Sequence, residues 1–211
     1  MLHGAYVVIA SHLNIRIYPM IIAFYKPYGV LSQFTSDGSV NQTLSEFGFP
    51  PHIYPVGRLD ADSEGFLLLS DETSMVKYLL EPKYAHPREY WVQVEGITEQ
   101  AALESLRKGI QIQGYTTKPC QARLLSEYDI TRLPERIPPI RYRKNTPTSW
   151  ISLELTEGKN RQVRRMTAAV GLPTLRLVRV RIGELSLPFW ETSAWRELTM
   201  NERRDVLGRF T

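Results

Sequence analysis

The sequence predicts an α+β protein built on a mixed, mainly antiparallel sheet. Three observations carry that expectation. Short apolar runs of strand character recur along the chain. Turn signals rich in glycine and proline separate them. The helical patterns are few, short and scattered. A chain of 211 residues that is 43% hydrophobic can bury one substantial core or two small lobes sharing one.

In chain order, Met20 to Lys26 reads as a β-rich strand stopped by Pro27 and Gly29, and turns follow at 36–39 and 47–55. Phe66 to Leu69 is an apolar run that suits a buried strand. Asp71 or Thr73 then caps a short helix bearing Met75, Val76, Leu79 and Leu80 on one face and ending before Pro82. Tyr90 to Glu95 alternates as a strand. Thr98 opens a second helix closed by Gly109. Residues 121–125 and 149–155 are strands, and the proline- and arginine-rich stretch TRLPERIPPIRYRKNTPTSW between them is a long loop, ordered or flexible. Asn160 to Val170 is helical, Thr174 to Ile182 is a strand, and Thr199 with Glu202 forms a capping box for a last helix.

Residues 1–19 hold the apolar run AYVVIA, with no cationic segment before it and no cleavage pattern after it, and too short to span a bilayer. They are expected to be a leader outside the core, unless the start is Met20, and 20–211 form one domain. A lone cysteine, Cys120, fits a reducing cytoplasm and reads as a core thiol. Four scattered histidines argue against a His/Cys metal site.

The run GRLDADSEGFLLLSD, 57–71, imitates a calcium loop, with Asp60, Asp62 and Glu64 at alternate positions, then Gly65 and Leu67. The flanks defeat that reading. FPPHIYPVG, with its prolines, cannot be the incoming helix, FLLL is no hydrated loop, and Asp71 is too short for the bidentate position. The alternative is one chemical carboxylate, Asp60, with Asp62 and Glu64 capping backbone amides in a turn that ends at Gly65.

The net charge of +4 hides an asymmetry. Residues 132–181 carry twelve lysines and arginines against three acids, a local +9 that leaves −5 on the rest. Such a face suits a polyanion, and nucleic acid is favoured over a merely solvated basic surface. In EGKNRQVRRMTAAVG, Arg161, Arg164 and Arg165 share one helical face near the helix start, where the macrodipole disfavours cations. An anion is needed there, either RNA phosphate or a carboxylate such as Asp60. In TLRLVRVRIG, Val178, Val180 and Ile182 point to the core, while Leu177, Arg179 and Arg181 point to the ligand.

FYKPYGVLSQF, VGRLDADSEGFLLLSD, the tyrosine of REYWVQVEG, EGKNRQVRRM and LVRVRIG together resemble the pseudouridine synthases of the RsuA/RluB-E-F type. The match covers essentially Met20 to the last residue, and PPIRYRKNTPTSW is similar to the branch acting on large-subunit ribosomal RNA. The resemblance implies a two-lobed pseudouridine synthase fold with a central cleft. It also implies conversion of uridine to pseudouridine in large-subunit rRNA without cofactor or metal, by a cytoplasmic protein, usually a monomer. Many relatives carry an N-terminal S4 domain, which the residues before Met20 cannot hold, so none is expected. Carried over by position, Asp60 is the essential aspartate, Tyr90 stacks on the target base, Arg164 pairs with Asp60 and Leu177 packs beside the base. Lys26, Arg58, Arg161, Arg165, Arg179 and Arg181 are expected to contact RNA. Arg88 stands where lysine is usual and keeps the charge. The rival reading is an RNA-binding or assembly factor without catalysis, or a synthase for small-subunit rRNA or tRNA.

Overall fold

The computed structural model describes residues 19–141 and 146–207. The expected leader lies, but for Pro19, outside the described residues. In chain order the elements are β1 (Ile21–Lys26), β2 (Tyr54–Val56), β3 (Glu64–Ser70), α1 (Thr73–Leu80), β4 (Arg88–Glu95), α2 (Gln100–Lys108), β5 (Gln111–Ile112) and β6 (Tyr115–Thr116). There follow β7 (Gln121–Leu124), α3 (Glu127–Thr131), β8 (Thr148–Leu155), α4 (Gln162–Ala169), β9 (Thr174–Ile182), β10 (Leu185–Ser186), β11 (Trp195–Glu197) and α5 (Met200–Leu207).

Nine strands form one sheet in the order β11-β1-β3-β9-β4-β8-β7, with β10 on β9 and β2 on β3, while β5 and β6 make a separate hairpin. Every strand pair is antiparallel except β3–β9, where Glu64 lies opposite Val178 and Gly65 opposite Arg179. At this crossing Gly65 belongs to the strand and not to the turn. A Cβ there would stand 2.4 Å from the Arg179 carbonyl oxygen, so only glycine lets the strands approach.

The expected two lobes take a specific form. One apolar cluster, including Tyr25, Phe66, Leu68, Val178 and Val180, runs along a whole face of the sheet. On the other face the core is split. Ile22, Phe24, Leu67 and Leu69 serve the β1–β3 half, while Val92, Ile151, Leu153 and Met166 serve the β4–β8 half. Tyr90 packs against both parts.

The helix starts show how local bonds override pattern. Thr98 does not open α2, because its amide and hydroxyl are taken by the Ser149 hydroxyl at 3.0 and 2.7 Å. The Asp71 carboxylate accepts from the Met20 amide at 2.8 Å instead of capping α1. The box before α5 forms as expected, with the Thr199 amide donating to Glu202 at 2.9 Å and the Glu202 amide to the Thr199 hydroxyl at 3.3 Å. The bond from Arg196 pulls the Glu202 carboxyl down to about 2. Cys120 is a core thiol, donating to the Leu106 carbonyl and pushed up to about 11 by burial.

Candidate active site

The split between the two cores opens a cleft of about 910 Å³, lined by Arg58, Asp60, Arg88, Tyr90, Leu177 and Arg179 among others. Asp60 hangs in the turn between β2 and β3, which is fastened from three sides. The Ser32 hydroxyl accepts from the Leu59 amide at 3.0 Å and donates to its carbonyl at 2.8 Å. The Gly29 amide donates to the Ala61 carbonyl at 2.7 Å, and the Ser63 amide to that of Asp60 at 3.0 Å. The Asp60 carboxylate keeps 37% of its side chain open. Its hydrogen-bonding side-chain partner is Arg161, at 3.4 Å.

The other two acids are not amide caps. Asp62 takes Arg161 in a bidentate pair, 3.2 and 2.8 Å, and lies 3.4 Å from Arg164. Burial would raise the Asp62 carboxyl, but the Arg161 bonds and the two arginine charges outweigh it and hold it below the usual range. Glu64 is buried and chelated by Arg176 with two bonds of 2.8 Å. The three carboxylates thus serve three purposes. Among the described residues no group of His, Cys, Asp and Glu could hold a metal ion.

Several expected roles are corrected. Arg164 donates to the Asp62 carbonyl at 2.6 Å, and its tie to Asp60 is one of charge, without a hydrogen bond. Arg161 is the N-cap of α4, in a left-handed conformation with φ 51°, and still meets Arg164 at one carboxylate, that of Asp62. The cations at this helix start are answered by Asp62. Arg179 is buried, 4% exposed, with Nε on the Phe66 carbonyl at 2.7 Å, and lies electrostatically against Tyr90. At that burial it has little surface to offer a phosphate. Arg181 is bound to Glu89 and Glu154 at 3.1 and 2.5 Å. Both of its carboxylate contacts lie within the sheet, so it too is structural.

Lys26 is fully buried, its Nζ donating to the Pro27 and Val30 carbonyls at 2.9 and 2.7 Å, so it does not reach RNA. Burial pushes its ammonium down from 10.5 to about 7, against the pull of Glu64, Asp62 and Asp60. Between those two values the unfolded chain keeps a proton that the folded chain has lost, so stability rises with pH across that window. The slope expected from this one group is at most about 1.4 kcal/mol per pH unit. Urea unfolding at successive pH values checks it, and Lys26→Met should flatten the rise. An unchanged slope in that variant assigns the titration to another group.

Arg58 and Arg165 are left where RNA can reach them, held lightly by Gln33 at 3.2 Å and Asn160 at 2.9 Å. Leu177 lines the cleft as expected, and Val178, Val180 and Ile182 enter the core behind it. Arg88, also in the cleft wall, donates to the Leu79 carbonyl at 2.8 Å. The residue missed altogether was Arg176. Its parity in β9 matches Val178 and Val180, and an arginine at a core position demands a buried acid. That was a readable signal.

The family profile of RNA pseudouridylate synthase matches residues 20–169. The chain belongs to that family. As a pseudouridine synthase it is an isomerase that converts uridine in RNA to pseudouridine. It is 50% identical over 169 residues to ribosomal large subunit pseudouridine synthase E of Xanthomonas axonopodis pv. citri, covering 80% of this chain and 88% of that one. It is 44% identical over 180 residues to the protein of the same name from Vibrio vulnificus, covering 85% and 75%. A crystal structure of a pseudouridylate synthase superposes with a TM-score of 0.73 at 24% identity, over 90% of this synthase and 74% of that chain, and establishes the fold. No helix among the described residues is long and apolar enough to cross a membrane.

Proposed function

We propose that this synthase modifies a uridine of large-subunit ribosomal RNA, acting as a cytoplasmic monomer with Asp60 as its catalyst. The observation that carries the reading is the convergence of Asp60, Tyr90 and Leu177 on one cleft, while both neighbouring acids are bound to arginines. Names of relatives that align over most of their length support the choice of RNA.

The reaction breaks the N1–C1′ bond, turns the uracil and joins C5 to C1′, with the C5 proton lost to solvent and N1 protonated. A carboxylate beside C1′ serves it as covalent nucleophile or as base. Tyr90 and Leu177 give the detached uracil a face against which to turn. A paired uridine must leave its stack, at a cost of a few kcal/mol. Phosphate contacts from Arg58, Arg161 and Arg165 offset that cost.

The test uses large-subunit rRNA, small-subunit rRNA and tRNA transcripts, each tritiated at uridine C5. Release is expected from the first alone. Release from either of the others moves the substrate, and no release from any of the three sinks the reading.

A further inference from the structure

The arginine- and proline-rich stretch after α3 begins as a fixed strap, 132–138. Leu133 packs against the continuous face of the sheet. The Arg132 guanidinium stands 4.8 Å over the Trp190 ring. The Pro134 carbonyl accepts from Arg176 Nη2 at 2.9 Å. The Arg136 guanidinium lies 4.0 Å over the Tyr28 ring, and its Nε is steadied by the Pro138 carbonyl at 2.8 Å.

Two of these anchors lead to the two sides of the Asp60 turn. Arg176 chelates Glu64, the residue at which β3 leaves that turn. Tyr28 belongs to the Lys26–Val30 turn, whose Gly29 amide holds the carbonyl of Ala61, next to Asp60. Tyr28 also interacts electrostatically with Arg164, the residue bonded to the Asp62 carbonyl. The strap therefore reaches the catalytic loop through its exit and through its middle.

We propose that strap 132–138 is a positioning element for Asp60. The stack of Arg136 on Tyr28 fixes the Lys26–Val30 turn and, through Gly29 and Ala61, the depth of the Asp60 carboxylate in the cleft. The inference rests on the reading of Asp60 as the catalyst. Arg136 touches no reacting atom in this account. A cation over a partly exposed ring adds little to global stability, whereas small displacements of a reacting group cost large factors in rate.

The experiment measures kcat and KM for tritium release from C5-labelled large-subunit rRNA, with the thermal midpoint, for the full chain. The variants are Arg136→Ala, Arg136→Lys, Tyr28→Ala, the Arg136→Ala/Tyr28→Ala double and Asp60→Asn. Arg136→Ala should lower kcat about tenfold with KM and the midpoint unchanged. Arg136→Lys, which keeps a cation over the ring, should recover most of the loss. The double variant should be no slower than Tyr28→Ala alone, because both remove one contact. Full kcat in Arg136→Ala, a loss confined to KM, or losses that multiply in the double variant would each overturn the proposal. An active Asp60→Asn variant overturns the reading of Asp60 and the strap with it. An inactive Asp60→Asn beside an unaffected Arg136→Ala overturns the strap alone.

Discussion

Asp60→Asn is expected to lower tritium release by about 10³-fold or more while the unfolding midpoint stays in place. The substitution keeps the shape of the side chain and removes the charge. The carboxylate is 37% exposed and makes one long side-chain contact, 3.4 Å to Arg161, so its loss costs the fold no more than about 0.5 kcal/mol. Arg161 keeps its shorter pair with Asp62, 2.8 Å, which prevents a displaced guanidinium from confusing the result. Catalysis and folding thus separate at this position. Comparable release from the variant and the wild type would remove Asp60 from the chemistry, and a fall in midpoint matching the loss of activity would make the residue structural.

Arg176→Met gives the opposite pattern. Its side chain is 7% exposed and that of Glu64 3%, so removing the arginine strands a buried carboxylate. An unpaired buried charge costs about 3–5 kcal/mol. Urea unfolding should show a loss of that size. Replacing both partners, Glu64→Leu with Arg176→Met, should recover most of the stability, because the cost lies in the stranded charge and not in the missing bond. If the double variant is as unstable as the single one, the pair is held for its geometry and not merely for its mutual neutralisation.

Much of the fold was legible because its main strands are long enough to show a period. β9 spans the same residues that alternate in TLRLVRVRIG, and β3 contains the FLLL run. The elements that escaped, such as α3, β5 and β10, have five residues or fewer, too short to repeat a pattern. At the site, Asp60, Tyr90 and Leu177 were singled out by the motifs that carry the family resemblance, and the three line one cleft. The errors concern charge. Arg179 and Arg181 were assigned to the ligand side by strand alternation and Lys26 was named among the RNA contacts, yet a sheet can hold a cation inside when carbonyls or carboxylates lie within reach. Which acid each arginine meets depends on pairings about a hundred residues apart, and no local pattern reports those.

The place of β9 in the sheet has a consequence for biosynthesis. Strands β3 and β4 are neighbours along the chain, but β9 separates them in space and is made more than a hundred residues after β3 ends. While the chain is still growing on the ribosome, the half that bears Asp60 and the half that bears Tyr90 have no shared strand to align them. The edge of β1 also waits, for β11. A nascent chain that ends between β4 and β9 therefore carries Asp60 and Tyr90 without the strand that joins their two halves. The cleft is completed late in translation, when β9 joins the two halves of the sheet.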